Sequence, residues 1–213
     1  MTRLLLLFAL SLAALLPVSA DEVALMQVRF GKEKILRSVA FEFFEGDAPV
    51  TVENFKKLAR SGFYKGLTFH RVFPDTLVQV GDPQSSGRDK ARVGTAGPGY
   101  TLPPEIRRSH TAGAMAMARL PDKLNPSRLS NGSQFYVCLQ PMPALDREHT
   151  VFGQVLYGMD TLQQISNQAA DSNDSPVTRI QVRSLRVMPR ELLPPAPDPN
   201  AKPAVKKPWY RIF

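Results

Sequence analysis

Eight stretches of alternating or β-branched and aromatic residues run along this chain with only two helical patterns among them, and that ratio restricts the fold most. The strands are expected at Ala24–Phe30, Ile35–Phe44, Thr68–Phe73, Leu77–Val80, Ala112–Ala118, Gln134–Leu139, Thr150–Leu156 and Val177–Val187. A parallel α/β sheet would demand a helix after nearly every strand. The economical alternative is a mainly β fold, a closed eight-stranded antiparallel β-barrel without exposed edges, its ends capped by two α-helices. The first helix is expected from about Pro49 to Arg60, with Val52, Phe55, Leu58 and Ala59 on one face and Gly62 ending it. The second, Met159 to about Gln168, puts Leu162 and Ile165 on one stripe. No internal repeat is present.

The two ends of the chain read differently from its middle. Arg3, an apolar run from Leu4 to Leu16, Pro17 and the small residues Val18-Ser19-Ala20 make a secretory signal peptide, residues 1–20, cleaved after Ala20. The run covers about two-thirds of the roughly 20 residues that a bilayer core requires. The mature chain is therefore expected to be periplasmic or secreted, without stable membrane insertion once the signal is removed. Residues 189–213 hold seven of the 19 prolines and close on Lys206-Lys207-Pro208-Trp209-Tyr210-Arg211-Ile212-Phe213, so a Pro-rich, basic and aromatic tail follows a domain spanning 21–188. The single cysteine, Cys138, closes no intrachain disulfide and reads as a buried, inert thiol. The net charge of +8 is spread along the chain with no basic-aromatic platform, which gives no case for nucleic-acid binding.

Six segments in register carry chemistry. They are Pro49-Val50-Thr51-Val52-Glu53-Asn54-Phe55; Phe69-His70-Arg71-Val72-Phe73-Pro74 running on to Gln79-Val80-Gly81-Asp82-Pro83; Gly94-Thr95-Ala96-Gly97-Pro98-Gly99-Tyr100; His110-Thr111-Ala112-Gly113; Asn131-Gly132-Ser133-Gln134-Phe135; and Leu145-Asp146 leading to His149-Thr150-Val151-Phe152-Gly153. From about Val23 to Val187 the chain resembles the cyclophilin family of peptidyl-prolyl cis-trans isomerases. The resemblance implies the same capped eight-stranded barrel, no cofactor and no metal, and proline-containing segments of exported proteins as partners of a monomeric enzyme that assists their folding.

An X-Pro bond rotates over a barrier of about 18–20 kcal/mol because the nitrogen lone pair is conjugated with the carbonyl. In the twisted state that lone pair is regained, so a fixed donor aimed at the nitrogen binds the transition state better than either planar form. The resemblance makes Arg71 the catalytic donor, and a guanidinium suits the task through its permanent charge and planar fork. It gives Gln79 the role of holding a substrate carbonyl or orienting Arg71, and His149 that of contacting substrate. The proline slot falls to Leu77, Tyr136 and Leu145, with Ala118, Arg119 and Gln134 lining the groove for flanking residues. Thr76 stands where the family usually has phenylalanine, Tyr136 also replaces a phenylalanine, Ala144 replaces an aromatic and Val80 a glycine, so thinner grip on proline is expected. The alternative reading is a proline-segment-binding chaperone or adaptor with little turnover. A metal or triad hydrolase is disfavoured: His70, His110 and His149 stand about 40 residues apart, and neither His-Glu-x-x-His nor Gly-x-Ser-x-Gly occurs.

Overall fold

The computed structural model describes residues 21–87 and 92–198. The period-two segments become ten strands: β1 (Glu22–Phe30), β2 (Arg37–Phe43), β3 (Arg71–Phe73), β4 (Leu77–Val80), β5 (Thr101–Leu102), β6 (Ala114–Met117), β7 (Ser130–Asn131), β8 (Phe135–Cys138), β9 (Val151–Tyr157) and β10 (Ile180–Pro189). Eight form one antiparallel sheet in the order β10-β1-β2-β9-β6-β8-β4-β3, and β5 and β7 make a separate two-residue ladder.

The sheet curls until its two edges meet. Gly66 N–H donates to Val182 O at 2.8 Å, Val182 N–H to Leu67 O at 2.8 Å and Phe69 N–H to Ile180 O at 3.0 Å, with Thr68 bridging Gln181. The expected strand Thr68–Phe73 is thus divided by partner: its first half closes the barrel against β10, and its second half, β3, pairs with β4. No periodicity distinguishes these partners, because both leave the side-chain alternation intact.

Helix α1 (Pro49–Arg60) begins on its proline and ends as the sequence implies. Gly62, at φ +77°, donates to Ala59 O at 3.1 Å and Phe63 N–H reaches Leu58 O at 3.0 Å, the paired bonds of a Schellman cap. Its buried face, Val52, Phe55, Leu58 and Ala59, plugs the barrel, and the Phe55 ring lies 5.2–5.7 Å from those of Phe43, Tyr64, Phe135 and Phe152. Helix α2 (Met159–Ser166) buries Leu162 and Ile165. The strand β10 runs through Pro189, and Arg190 is pinned by Asp21 and by Glu42 at 2.9 Å, so ordered chain extends a turn beyond residue 188. The segment expected to be a signal peptide, residues 1–20, and the closing basic-aromatic residues lie outside the described residues.

Candidate functional site

Across four strands the pairing register sets Arg71 opposite Gln79, Gln79 opposite Tyr136 and Tyr136 opposite Ala116. Successive side chains change face, so these residues and Leu77 stand outward while Val72, Val78, Val80, Phe135 and Val137 fill the barrel. On this outward face Ala114, Ala116, Tyr136, Cys138 and Val151 form a second apolar cluster, with Phe44, Leu77, Met142 and Leu145 packed on it. A groove of about 790 Å³ crosses this surface. All nine residues expected from the sequence line it: Arg71, Leu77, Gln79, Ala118, Arg119, Gln134, Tyr136, Leu145 and His149.

Arg71 is half exposed, with 50% of its side chain open. Its guanidinium lies 4.7 Å from the centre of the Phe73 ring, and Nε donates to Asp174 Oδ2 at 3.4 Å. Its two terminal nitrogens make no hydrogen bond among the described residues. Gln79 makes no hydrogen bond to Arg71 among the described residues, and its amide nitrogen donates to Gln134 Oε1 at 2.9 Å. Gln134 in turn donates to Ala96 O at 2.6 Å and Gly94 O at 3.1 Å. The fully buried Asp82 carboxylate ties the same loop, accepting from Gly94 N–H at 2.6 Å and Ala96 N–H at 3.1 Å. Asn131 accepts from the N–H groups of Ser133 and Gln134, both at 2.9 Å, and Asn54 of α1 donates to Gly132 O at 2.8 Å. The separate motifs are thus one hydrogen-bonded frame around the groove. Asp82 and Asn131, unassigned from the sequence, hold it together.

His149 Nδ1 lies 3.0 Å from Met117 O, and since a carbonyl only accepts, that nitrogen carries the proton and Nε2 keeps its lone pair. Burial pulls this imidazole below the ordinary histidine value, with the Met117 bond opposing and the Arg119 charge adding to it. The ring meets Tyr136 edge-on at 5.6 Å. Behind it runs a chain of polar groups: Asp146 Oδ1 accepts from His110 Nδ1 at 3.0 Å, and His110 Nε2 accepts from the Tyr136 hydroxyl at 3.0 Å. Hydrogen bonds from the His110 backbone and ring hold the Asp146 carboxyl below its ordinary value. Tyr136 is thus more than a substituted phenylalanine, because its hydroxyl has a buried partner. Burial pushes the phenol up and raises the neighbouring Cys138 thiol to about 12. His110 carried no signal alone; only its place opposite residue 136 gives it a role.

The other departures fall outside the groove lining. Val80 points into the barrel core, fully buried, and Thr76 and Ala144 stand beside the slot without lining it. Arg119 lines the groove through its stem, but its guanidinium is committed to Glu148 and Asp122, at 2.8 and 2.5 Å. Three exposed leucines, Leu120, Leu124 and Leu129, also line the groove and were not singled out from the sequence. Among the described residues no group of three or more His, Cys, Asp or Glu is placed to hold a metal ion, and no helix is long and apolar enough to cross a membrane.

Residues 26–187 match the family model described as cyclophilin type peptidyl-prolyl cis-trans isomerase/CLD. A peptidyl-prolyl cis-trans isomerase of Synechococcus elongatus is 46% identical over 118 residues, covering 55% of this chain and 72% of that protein. Peptidyl-prolyl cis-trans isomerase B of Bacillus subtilis is 42% identical over 132 residues, 61% of this chain and 83% of that one. Among solved structures, a Cryptosporidium parvum cyclophilin type isomerase superposes with a TM-score of 0.67 at 26% identity, covering 78% of this chain and 97% of its own. The same parasite protein, in the presence of the dipeptide Ala-Pro, gives 0.66 at 25% identity, with 78% and 98% covered.

Proposed function

This chain belongs to the cyclophilin-type peptidyl-prolyl cis-trans isomerase family, and from that premise we propose that Arg71 is the group through which it rotates X-Pro bonds, in exported proteins. The activity itself, peptidyl-prolyl cis-trans isomerisation, comes with the family. The observation that carries the assignment is the position of Arg71: a cation whose terminal donors are uncommitted among the described residues, lining the same groove as the apolar Leu77, Tyr136 and Leu145.

The ring of a substrate proline is hydrocarbon and its nitrogen has no hydrogen, so the slot holds it by apolar contact. Gln79 keeps one amide N–H and its carbonyl oxygen for the substrate backbone, while the buried Gln134, whose amide is committed to Gln79, Gly94 and Ala96, holds Gln79 in place. His149 presents an unprotonated Nε2 and a ring edge to the same groove. As the bond twists, the prolyl nitrogen becomes pyramidal and basic, and an Arg71 N–H donates to it. That bond exists only near the top of the barrier, which is what accelerates a reaction rather than merely binding its substrate. Lowering the barrier by about 4 kcal/mol gives roughly a thousandfold acceleration. No proton leaves the enzyme and no covalent bond is made.

Export is supported by the first twenty residues, and β1 starts at Glu22, so removing them takes nothing from the barrel. Exchange spectroscopy on an Ala-Pro peptide with the chain from Asp21 to Phe213 tests the Arg71 role. Arg71→Ala is expected to lower kcat/KM by about 100-fold, the scale of one charge-assisted donor. Its fold is expected to remain, because the exposed Asp174 pair contributes at most about 1 kcal/mol. Turnover within twofold of the original enzyme would remove Arg71 from the reaction. Peptide binding without turnover in the unsubstituted chain would make it a proline-binding adaptor instead.

A further inference from the structure

Donation to a prolyl nitrogen needs the Arg71 guanidinium to point one way, yet half of this side chain is open to solvent. A long side chain does not hold one direction unaided, because fixing it costs rotamer freedom. Two contacts restrain it among the described residues. The Phe73 ring, two positions along the same face of β3, lies 4.7 Å from the guanidinium, and Asp174 Oδ2 accepts from Nε at 3.4 Å. Gln79, the cross-strand neighbour of Arg71, is turned to Gln134 instead.

The place of Asp174 is set by backbone rather than by a surface rotamer. Its carbonyl accepts from Val72 N–H at 2.8 Å, so the loop between α2 and β10 is pinned to the residue next to Arg71. That loop is also closed on itself. Asp171 Oδ1 accepts from the N–H groups of Asn173 and Ser175 at 2.9 and 3.1 Å, Asp174 N–H donates to Asp171 O at 3.0 Å, and Val177 N–H reaches Ala169 O at 2.8 Å. Asp174 stands in it at φ +58°, a left-handed conformation that aspartate tolerates better than most side chains. It is not among the residues that line the groove, so it meets Arg71 from outside the substrate's path.

A bond to Nε engages one edge of the planar fork and leaves both terminal nitrogens for another partner. We infer that Asp174 is a positioning residue for the isomerisation: it holds Arg71 by Nε so that the terminal N–H groups are aimed at the twisting prolyl nitrogen. The inference deepens the isomerase reading and rests on Arg71 being the donor. It also fixes a sign. A carboxylate that only drained charge from the guanidinium would slow the reaction, and its removal would speed turnover; one that aims the guanidinium is missed when it is gone.

The test measures kcat and KM by exchange spectroscopy on an Ala-Pro peptide, using the chain from Asp21 to Phe213 with Asp174→Gly or Asp174→Asn. Glycine takes a positive φ without strain and deletes the carboxylate, whereas asparagine keeps the turn and an oxygen acceptor. Asp174→Gly is expected to lower kcat about fivefold, the most that an exposed ion pair supports, and to leave KM within about twofold. Asp174→Asn is expected to return kcat to within about twofold of the original. In an Arg71→Ala background Asp174→Gly is expected to change turnover by less than about twofold, because the group it positions is gone. A kcat that rises in both variants, an Asn variant no better than the Gly variant, or the same loss with and without Arg71 would overturn the positioning role. Full turnover in Arg71→Ala would remove the Arg71 assignment and this inference together. Turnover lost in Arg71→Ala but kept in Asp174→Gly would sink the positioning role alone.

Discussion

The hydroxyl of Tyr136 is the clearest place to test how this site is held together. It is buried and donates to His110 Nε2 at 3.0 Å, and the His110 side chain is fully buried. Tyr136→Phe keeps the ring and the slot but deletes the donor. Two effects add: a net hydrogen bond worth about 1 kcal/mol is lost, and a buried nitrogen is left without a partner, so the cost is about 1–3 kcal/mol. For a domain of this size that corresponds to a fall in Tm of roughly 2–4 °C per kcal/mol. The sign is what makes the variant informative, since burying less polar surface alone would stabilise. The double-mutant cycle with His110→Leu isolates the pair: in that background the hydroxyl itself is the orphan, and Tyr136→Phe is expected to cost nothing or to stabilise. Urea melts of the four proteins, compared at constant m-value, give a coupling energy expected at about 1–2 kcal/mol. Equal costs in the two backgrounds, or a single variant as stable as the original, would refute the claim that this bond is made and matters.

Gly81, at φ +106°, lets the end of β4 lie against the Ser133 backbone, and a Cβ there would stand 2.2 Å from Ser133 O. Gly81→Ala is expected to lose at least about 2 kcal/mol in a urea melt, and a neutral result would mean that the approach is not native. Cys138, fully buried with its thiol raised to about 12, is expected to ignore a thiol reagent at pH 8 until denaturant is added. Burial holds His70 and His149 below the ordinary value of 6.5, so the unfolded chain takes up protons that the native one resists. Stability is therefore full above about pH 6.5 and declines as pH falls through that value, ceasing to decline once the native rings protonate. Denaturation midpoints at pH 7.5 and 5.5 check this, the lower one being expected at pH 5.5.

The alternation of apolar residues by itself determined the eight main strands, and Pro49 and Gly62 determined where α1 begins and ends, because these signals act within a few residues of chain. Through the family resemblance the order of the motifs likewise assigned Arg71, Gln79 and His149 to one groove, and all three line it. Only tertiary structure decided that residues 66–69 close the barrel on β10, that Val80 points inward, that His110 anchors Tyr136 and that Arg119 and Arg128 pair with Asp122 and Glu148. Each of these depends on which strands become neighbours, and a hydrogen bond between residues 26 or 29 positions apart leaves no trace in local periodicity. A side chain's direction is written into its own stretch of sequence, whereas its partner is chosen when distant stretches are brought within 3 Å of each other.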